Sequence, residues 1–240
     1  NRDGKIIYKE ESSFFGMFKS TSGSPYHDID YTNKNFYNGN VCMGCHGHKE
    51  NAHKQNVCTT EKKGAIDEES NCITCHMPEV QGSATTIKIT KKHTFHGFAG
   101  TRNRPDLLAK YLKMDFNQTE SGFTITLTNK ATHNLLLHPL RLGKLNIRVN
   151  DGSKTFKLKS TPFMRILGNN GKPALPWLAT NIFKDNMLKA NESRTIKYDT
   201  KLKSGDIVEA EFGYFLVNPK MQKGLNLENS AEATKFNILK

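Results

Sequence analysis

The sequence predicts an α+β, mainly β protein: an irregular, polar N-terminal part followed by an antiparallel Ig-like β-sandwich. Three observations predict it. Short runs in the second half alternate apolar and polar side chains, turn signals separate those runs, and the first hundred or so residues show little sustained periodicity.

The strands come first. Phe123, Ile125 and Leu127 alternate with polar residues in FTITLT, as do Leu145, Ile147 and Val149 in KLNIRV, and Val208, Ala210, Phe212 and Tyr214 further on. Period two puts one side of each run inward, which is the pattern of a half-buried strand. KTFKLK, FMRIL, RTIKY and the closing KFNIL add further strands, and NDGS, GNNGKP and KSGD supply the turns. About seven short strands with such turns argue for a sandwich over residues 118–240. Before it, PDLLAKYLKM places Leu107, Leu108, Tyr111 and Leu112 at helical spacing behind Pro105, so a bridging helix is expected over 104–117.

Residues 1–103 form the remaining domain. They are rich in Gly, Asn, Ser, Lys and His, and hold seven of the nine histidines. A segment this polar cannot bury enough apolar surface of its own to offset the entropy of ordering it. Something bulky and apolar must be supplied.

Charge narrows the partners little. Lys and Arg outnumber Asp and Glu by 35 to 23, a formal charge of +12. The basic residues are scattered (Lys34, Lys91, Lys144, Lys197, Lys240) and not massed with aromatics, which reads as a solvated surface and not as a nucleic-acid site. No run of apolar residues is long enough to span a bilayer, and the N-terminal residues do not show the basic, apolar, small-residue pattern of a signal peptide. The expectation is an exported chain whose signal or anchor has been removed.

All five cysteines fall between Cys42 and Cys75. Such clustering indicates a ligand or attachment site, because a disulfide framework is usually spread along the chain. Cys42-Met43-Gly44-Cys45-His46 and Cys72-Ile73-Thr74-Cys75-His76 both spell CxxCH. Two thiols separated by two residues reach the two vinyl groups of one haem as thioethers, and the next imidazole then lies beneath the iron. The reading is two haem c groups held by Cys42, Cys45, Cys72 and Cys75, with His46 and His76 as proximal ligands. Four thiols in CxxC pairs also suit a zinc site. The gap between the pairs is long for a zinc ribbon, and zinc explains neither His46 nor His76. A thioredoxin-like site lacks its βαβ surroundings.

Each iron has a sixth position to fill. In falling order the distal candidates are His93, His96, His27 and His133. His93 and His96 stand three apart in KKHTFHGFAG, near glycines that let backbone approach a flat ring. His27, in SPYHD, has enough chain to fold back over either haem. His133 ends the first sandwich strand and could lean onto a haem from the β half. His48 and His53 stand too near His46 to reach the far face of the same ring easily, which leaves them the other haem or a solvated surface, and His138, before Pro139, reads as a structural hydrogen-bonding residue. Met17, Met114 and Met164 have no distinguishing context. Cys58, outside both motifs, reads as a buried thiol, with a reactive thiol or an extra metal ligand as the alternatives, and Trp177, in PALPWLA, as packing in a core or between domains.

At these residues the chain resembles the multihaem c-type cytochromes of bacterial respiration. The haem motif continues as Cys75-His76-Met77-Pro78 and is followed by His93-Thr-Phe-His-Gly or His96-Gly-Phe-Ala-Gly, both of which fit that family's pattern. Thr128-Asn129, His133-Asn134 and Arg141 are similar to the corner that opens its β-sandwich. Thr132 stands where a glycine is usual, and the Pro-Thr-Gly that often follows is absent. The resemblance implies periplasmic electron transfer between redox partner proteins, a membrane-anchored quinol-linked donor among them. The rival expectations are a haem enzyme with one open iron site for a small anion or peroxide, and an accessory subunit of a larger redox complex.

Overall fold

The computed structural model describes residues 13–15, 28–30, 32–36, 38–46, 49–58, 71–87, 89–97, 99–100, 104, 106 and 109–239. The chain divides into two compact units, Asn1–Gly47 with Thr60–Phe98, and His48–Thr59 with Ala99–Lys240.

The first unit is built from short pieces. Strands β1 (Ser13–Phe15) and β2 (Asp28–Asp30) pair in parallel. A 3₁₀ turn at Asn40–Cys42 leads into α1 (Met43–His46), and Gly39, at φ 75°, supplies the left-handed residue that starts the turn. In the second unit, β3 (Lys49–Glu50) and β4 (Asn56–Cys58) make a hairpin. Back in the first, α2 (Cys72–His76) is followed by the hairpin of β5 (Glu79–Gln81) and β6 (Lys92–Thr94).

The rest of the second unit is the sandwich. One sheet has the order β15-β8-β7, from β7 (Leu112–Gln118), β8 (Phe123–Asn129) and β15 (Ser193–Tyr198). The other pairs β9 (Leu142–Asn150) with β16 (Ile207–Phe215), flanked by β10 (Thr155–Lys157), β11 (Thr161–Phe163) and β17 (Phe236–Ile238). All these pairings are antiparallel. The alternation read from sequence sets which residues meet: Phe123, Ile125 and Leu127 of β8 join Leu145, Ile147 and Val149 of β9 in one core with Phe163, Leu188 and Phe212. Each is about 1 % exposed or less, and full burial of such a side chain stabilises by about 1.5–3 kcal/mol.

The second unit also holds a third sheet, of order β13-β12-β14. It consists of β12 (Arg165–Asn169), β13 (Lys172–Pro173) and β14 (Asn181–Asp185). Asn170 at φ 49° and Gly171 at φ 71° close the tight turn between β12 and β13, as the GNNGKP signal requires.

The mainly β class and the strand runs agree with the sequence reading. Three expectations need correction. The bridging helix over 104–117 fails in its second half, because Leu112–Gln118 is strand β7 in register with β8: Met114 faces Leu127, and Phe116 faces Ile125. Leu112, Met114 and Phe116 carry a period of two that tertiary pairing selects over the helical spacing upstream. Asp106 and Ala109 are helical, whereas Pro105, Leu107 and Leu108 lie outside the described residues. FMRIL, expected as one strand, breaks at Met164 into β11 and β12, which enter different sheets. Trp177, expected in a core or between domains, is 50 % exposed and belongs to no core.

Candidate functional site

The second CxxCH string is the better fixed of the two. Asn71, 1 % exposed, caps α2: its Oδ1 accepts from the N–H groups of Ile73 at 2.9 Å and Thr74 at 3.2 Å. Thr74 Oγ1 in turn accepts from Asn71 N–H at 2.8 Å, which completes a reciprocal capping box. Within this turn Cys72, Cys75 and His76 stand at i, i+3 and i+4, so all three share one face. Ile73 is buried beneath the turn at 8 % exposure.

The first string is reached through a chain of asparagine turns. Asn40 N–H donates to Asn38 Oδ1 at 3.0 Å, Asn40 Nδ2 donates to Asn35 Oδ1 at 2.7 Å, and Cys42 N–H closes on Gly39 O at 3.1 Å. Cys42 thus ends one turn as α1 begins the next, and His46 at its far end is exposed.

The structure brings the two strings together. The Cys72 thiol is pushed up to about 11, first by burial, then by the adjacent Cys42 thiol with which it hydrogen-bonds, and further by Cys75. Cys42, Cys72 and Cys75 are each partly buried. Cys58 lies in the other unit, where burial raises its pKa against the pull of Arg141, Arg165 and Lys49. A thiol held protonated in this way is a poor nucleophile, in keeping with a structural cysteine.

His93 lies on β6 of the β5–β6 hairpin, which starts just after α2, and His96 follows two residues beyond the strand. Phe95 N–H donates to Pro78 O at 2.9 Å, tying the segment between the two histidines to the residue two places beyond His76. Each ring is oriented by a backbone carbonyl: His93 Nδ1 donates to Gly82 O at 2.7 Å, and His96 Nδ1 to Thr94 O at 2.7 Å. A carbonyl only accepts, so both rings are set as the Nδ1–H tautomer with Nε2 as the lone-pair nitrogen. The Lys92–Glu79 ion pair at 2.8 Å spans the hairpin.

His133 lies in the second unit, its Nδ1 donating to Asn134 O at 2.9 Å. Its corner is held by Asn129, whose Nδ2 donates to His133 O at 2.9 Å and Lys189 O at 2.9 Å. His138 is the structural residue expected, accepting at Nδ1 from Leu140 N–H at 3.2 Å. His27 and His48 lie outside the described residues. Sequence reasoning missed Asn71, although Asn followed by Thr three residues on is a readable capping signal. It also missed Gly82, whose carbonyl is invisible to any motif.

Fold and site together define a class: an α+β, mainly β chain with two CxxCH strings in one compact unit and an antiparallel sandwich in the other. That architecture has a counterpart among solved structures, the penta-heme cytochrome c552 from Thermochromatium tepidum, with a TM-score of 0.68 over 90 % of this chain at 20 % identity. The fold of this chain is therefore similar to that of a multihaem c-type cytochrome. The present chain matches 58 % of that cytochrome's length. No family model matches the chain, and no curated protein matches it.

Proposed function

We propose that the protein is a dihaem c-type cytochrome that passes electrons between redox partner proteins in the periplasm, with two histidines on each iron. The observation that carries this reading is the α2 turn, where a capped helix presents Cys72, Cys75 and His76 on one face. Thioether attachment at Cys72 and Cys75 leaves His76 as proximal ligand, and Cys42, Cys45 and His46 repeat the arrangement. His93 and His96 suit the distal role, since an imidazole whose Nδ1–H is fixed by a carbonyl offers Nε2 in a set orientation. His27 and His133 remain candidates for the second iron. Bound haem supplies a one-electron Fe(III)/Fe(II) couple, tuned by its axial ligands and burial. The protein's work is then to hold, orient and shield. No bond in a substrate is made or broken, in contrast to an enzyme with an open iron.

The contact between Cys42 and Cys72 favours this reading in one further respect, because it sets the two attachment points side by side. The alternative of a single zinc ion rests on the spacing of the thiols alone, because no group of three metal-ligating side chains is assembled among the described residues.

Pyridine haemochrome analysis and the intact mass of the exported, matured chain separate the two. Two haems per chain with only low-spin ferric signals are expected. A colourless protein with one zinc ion per chain would overturn the proposal, and a high-spin ferric signal that shifts with added ligand would replace the carrier by an enzyme.

A further inference from the structure

We propose that residues 174–180 and strand β14 form a finger that seats in the headgroup layer of an anionic lipid bilayer. This goes beyond the electron-transfer reading and is independent of what the CxxCH strings carry.

The finger exposes what a soluble surface normally hides. Trp177, Leu178, Ile182 and Phe183 are each 47–50 % exposed, in a stretch of seven residues. They are not on one flat face. Ile182 stands opposite Leu167, whereas the Cβ of Phe183 lies over Gly168, on the other side of the sheet, where a Cβ on Gly168 would meet it at 2.9 Å. A rigid protein partner docks on one face of a sheet. A fluid interface surrounds both.

The loop's backbone is already provided for. Asn51 Nδ2 donates to Pro176 O at 2.8 Å and to Ala179 O at 2.7 Å, Asn169 Nδ2 donates to Leu178 O at 2.7 Å, and Leu178 N–H donates to Leu175 O at 2.9 Å. Four of the five loop carbonyls from Leu175 to Ala179 therefore have internal donors. An irregular loop tolerates a medium poor in water only when its polar groups are met from within. The edge of β14 away from β12 pairs with no other strand among the described residues, which confines the finger to the headgroup layer, where water and phosphate still serve that edge.

Charge selects the lipid. Lys172 and Lys184 flank the apolar side chains on β13 and β14, and Lys54 stands in the turn beside Asn51, with Glu50 the carboxylate of that hairpin. Asp185 is neutralised by Arg165 at 2.9 Å. An apolar tip rimmed by lysines matches an anionic surface, and tryptophan favours the interface itself.

The test is cosedimentation of the whole protein with vesicles of phosphatidylcholine, alone or with about one third phosphatidylglycerol, at low and physiological salt. Binding to the anionic vesicles is expected to exceed binding to the neutral ones about tenfold and to weaken with salt. The double substitution Trp177→Ser with Phe183→Ser is expected to reduce it about tenfold with the urea transition unchanged, and Lys172→Gln with Lys184→Gln to remove the preference for phosphatidylglycerol. Equal binding by the Ser variant, or no binding to anionic vesicles at low salt, overturns the proposal. So does a wild-type dimer in lipid-free sedimentation that the Ser variant splits, since the finger then belongs to an interface between two copies.

Discussion

Asn129 is the residue whose loss tests the sandwich corner most directly. Its side chain is 0 % exposed and makes two donations near 2.9 Å, to the carbonyls of His133 and Lys189, a longer one to Leu188 O at 3.3 Å, and one acceptance from Ala131 N–H at 3.0 Å. Asn129→Ala leaves these partners without their bonds. At about 1 kcal/mol for each of the three good ones, the loss is about 3 kcal/mol, or about 6–12 °C in Tm for a chain of this size. Urea unfolding followed by far-UV circular dichroism measures it. Asn129→Asp sharpens the test, since it keeps the shape but turns a donor into an acceptor. At neutral pH its carboxylate faces carbonyl oxygens, so its folded pKa must lie above the unfolded value. Protonation restores one donor, and the variant should gain stability relative to wild type as pH falls through that folded pKa. A loss below about 1 kcal/mol in the Ala variant, or a pH-independent deficit in the Asp variant, would refute the assignment of Asn129 as the clamp of this corner.

Four further outcomes are expected of other residues. His138 has its pKa lowered, by burial first and by Arg141 second, so the unfolded chain takes up the proton more readily. Its contribution to stability is therefore complete above the unfolded pKa near 6.5 and is lost as pH falls toward the folded value, and His138→Asn, which keeps an acceptor for Leu140 N–H, should flatten that dependence in urea titrations at stepped pH. Gly122→Ala puts a Cβ into the carbonyl oxygen of Tyr198, a backbone atom that cannot swing aside, and should cost about 3 kcal/mol or more in the same assay. His93→Ala and His96→Ala should differ in the visible spectrum of the oxidised protein, with the variant that lost a ligand gaining a high-spin band and the other unchanged; two unchanged spectra would remove the hairpin from the coordination sphere. Replacing Cys72 and Cys75 together by Ala should lower the intact mass of the matured chain by one haem and leave the sandwich's urea transition in place.

The sandwich was legible because period two is a local code. Phe123, Ile125 and Leu127 could face the core only as a strand, and β8 is where they are found, in register with β7 and β15. Strand β7 was not, since LLAKYLKM writes a helical period over the Leu112, Met114 and Phe116 alternation, and only pairing with β8 decides between them. The finger escaped for a different reason. All five residues of β14 are exposed, so no burial pattern marks it, and Trp177 reads as a core residue unless the loop around it is seen. At the site, the CxxCH strings needed only spacing. The meeting of Cys42 with Cys72 joins segments far apart in the chain, and no motif encodes it. His93 and His96 stay equivalent in the structure for the same reason as in the sequence: each has its Nδ1 on a carbonyl at 2.7 Å.

The distribution of burial bears on why a unit of this composition carries CxxCH strings at all. Among the described residues of the first unit, Ile73 is the one buried apolar side chain, and the other buried side chain is its neighbour Asn71. Both flank Cys72. The second unit instead closes nine apolar side chains into a single core. A fully buried residue contributes about 1.5–3 kcal/mol, whereas ordering a turn costs about 1 kcal/mol or more for each residue, so among the described residues Ile73 offsets only part of the cost of the α2 turn. On the proposed reading, a macrocycle bonded to Cys72 and Cys75 would add apolar area at the α2 turn, where the burial of the described residues is centred. Attachment would then serve the structure of the first unit as well as its redox chemistry, and the polar sequence around the cysteines would follow from the cofactor supplying that area.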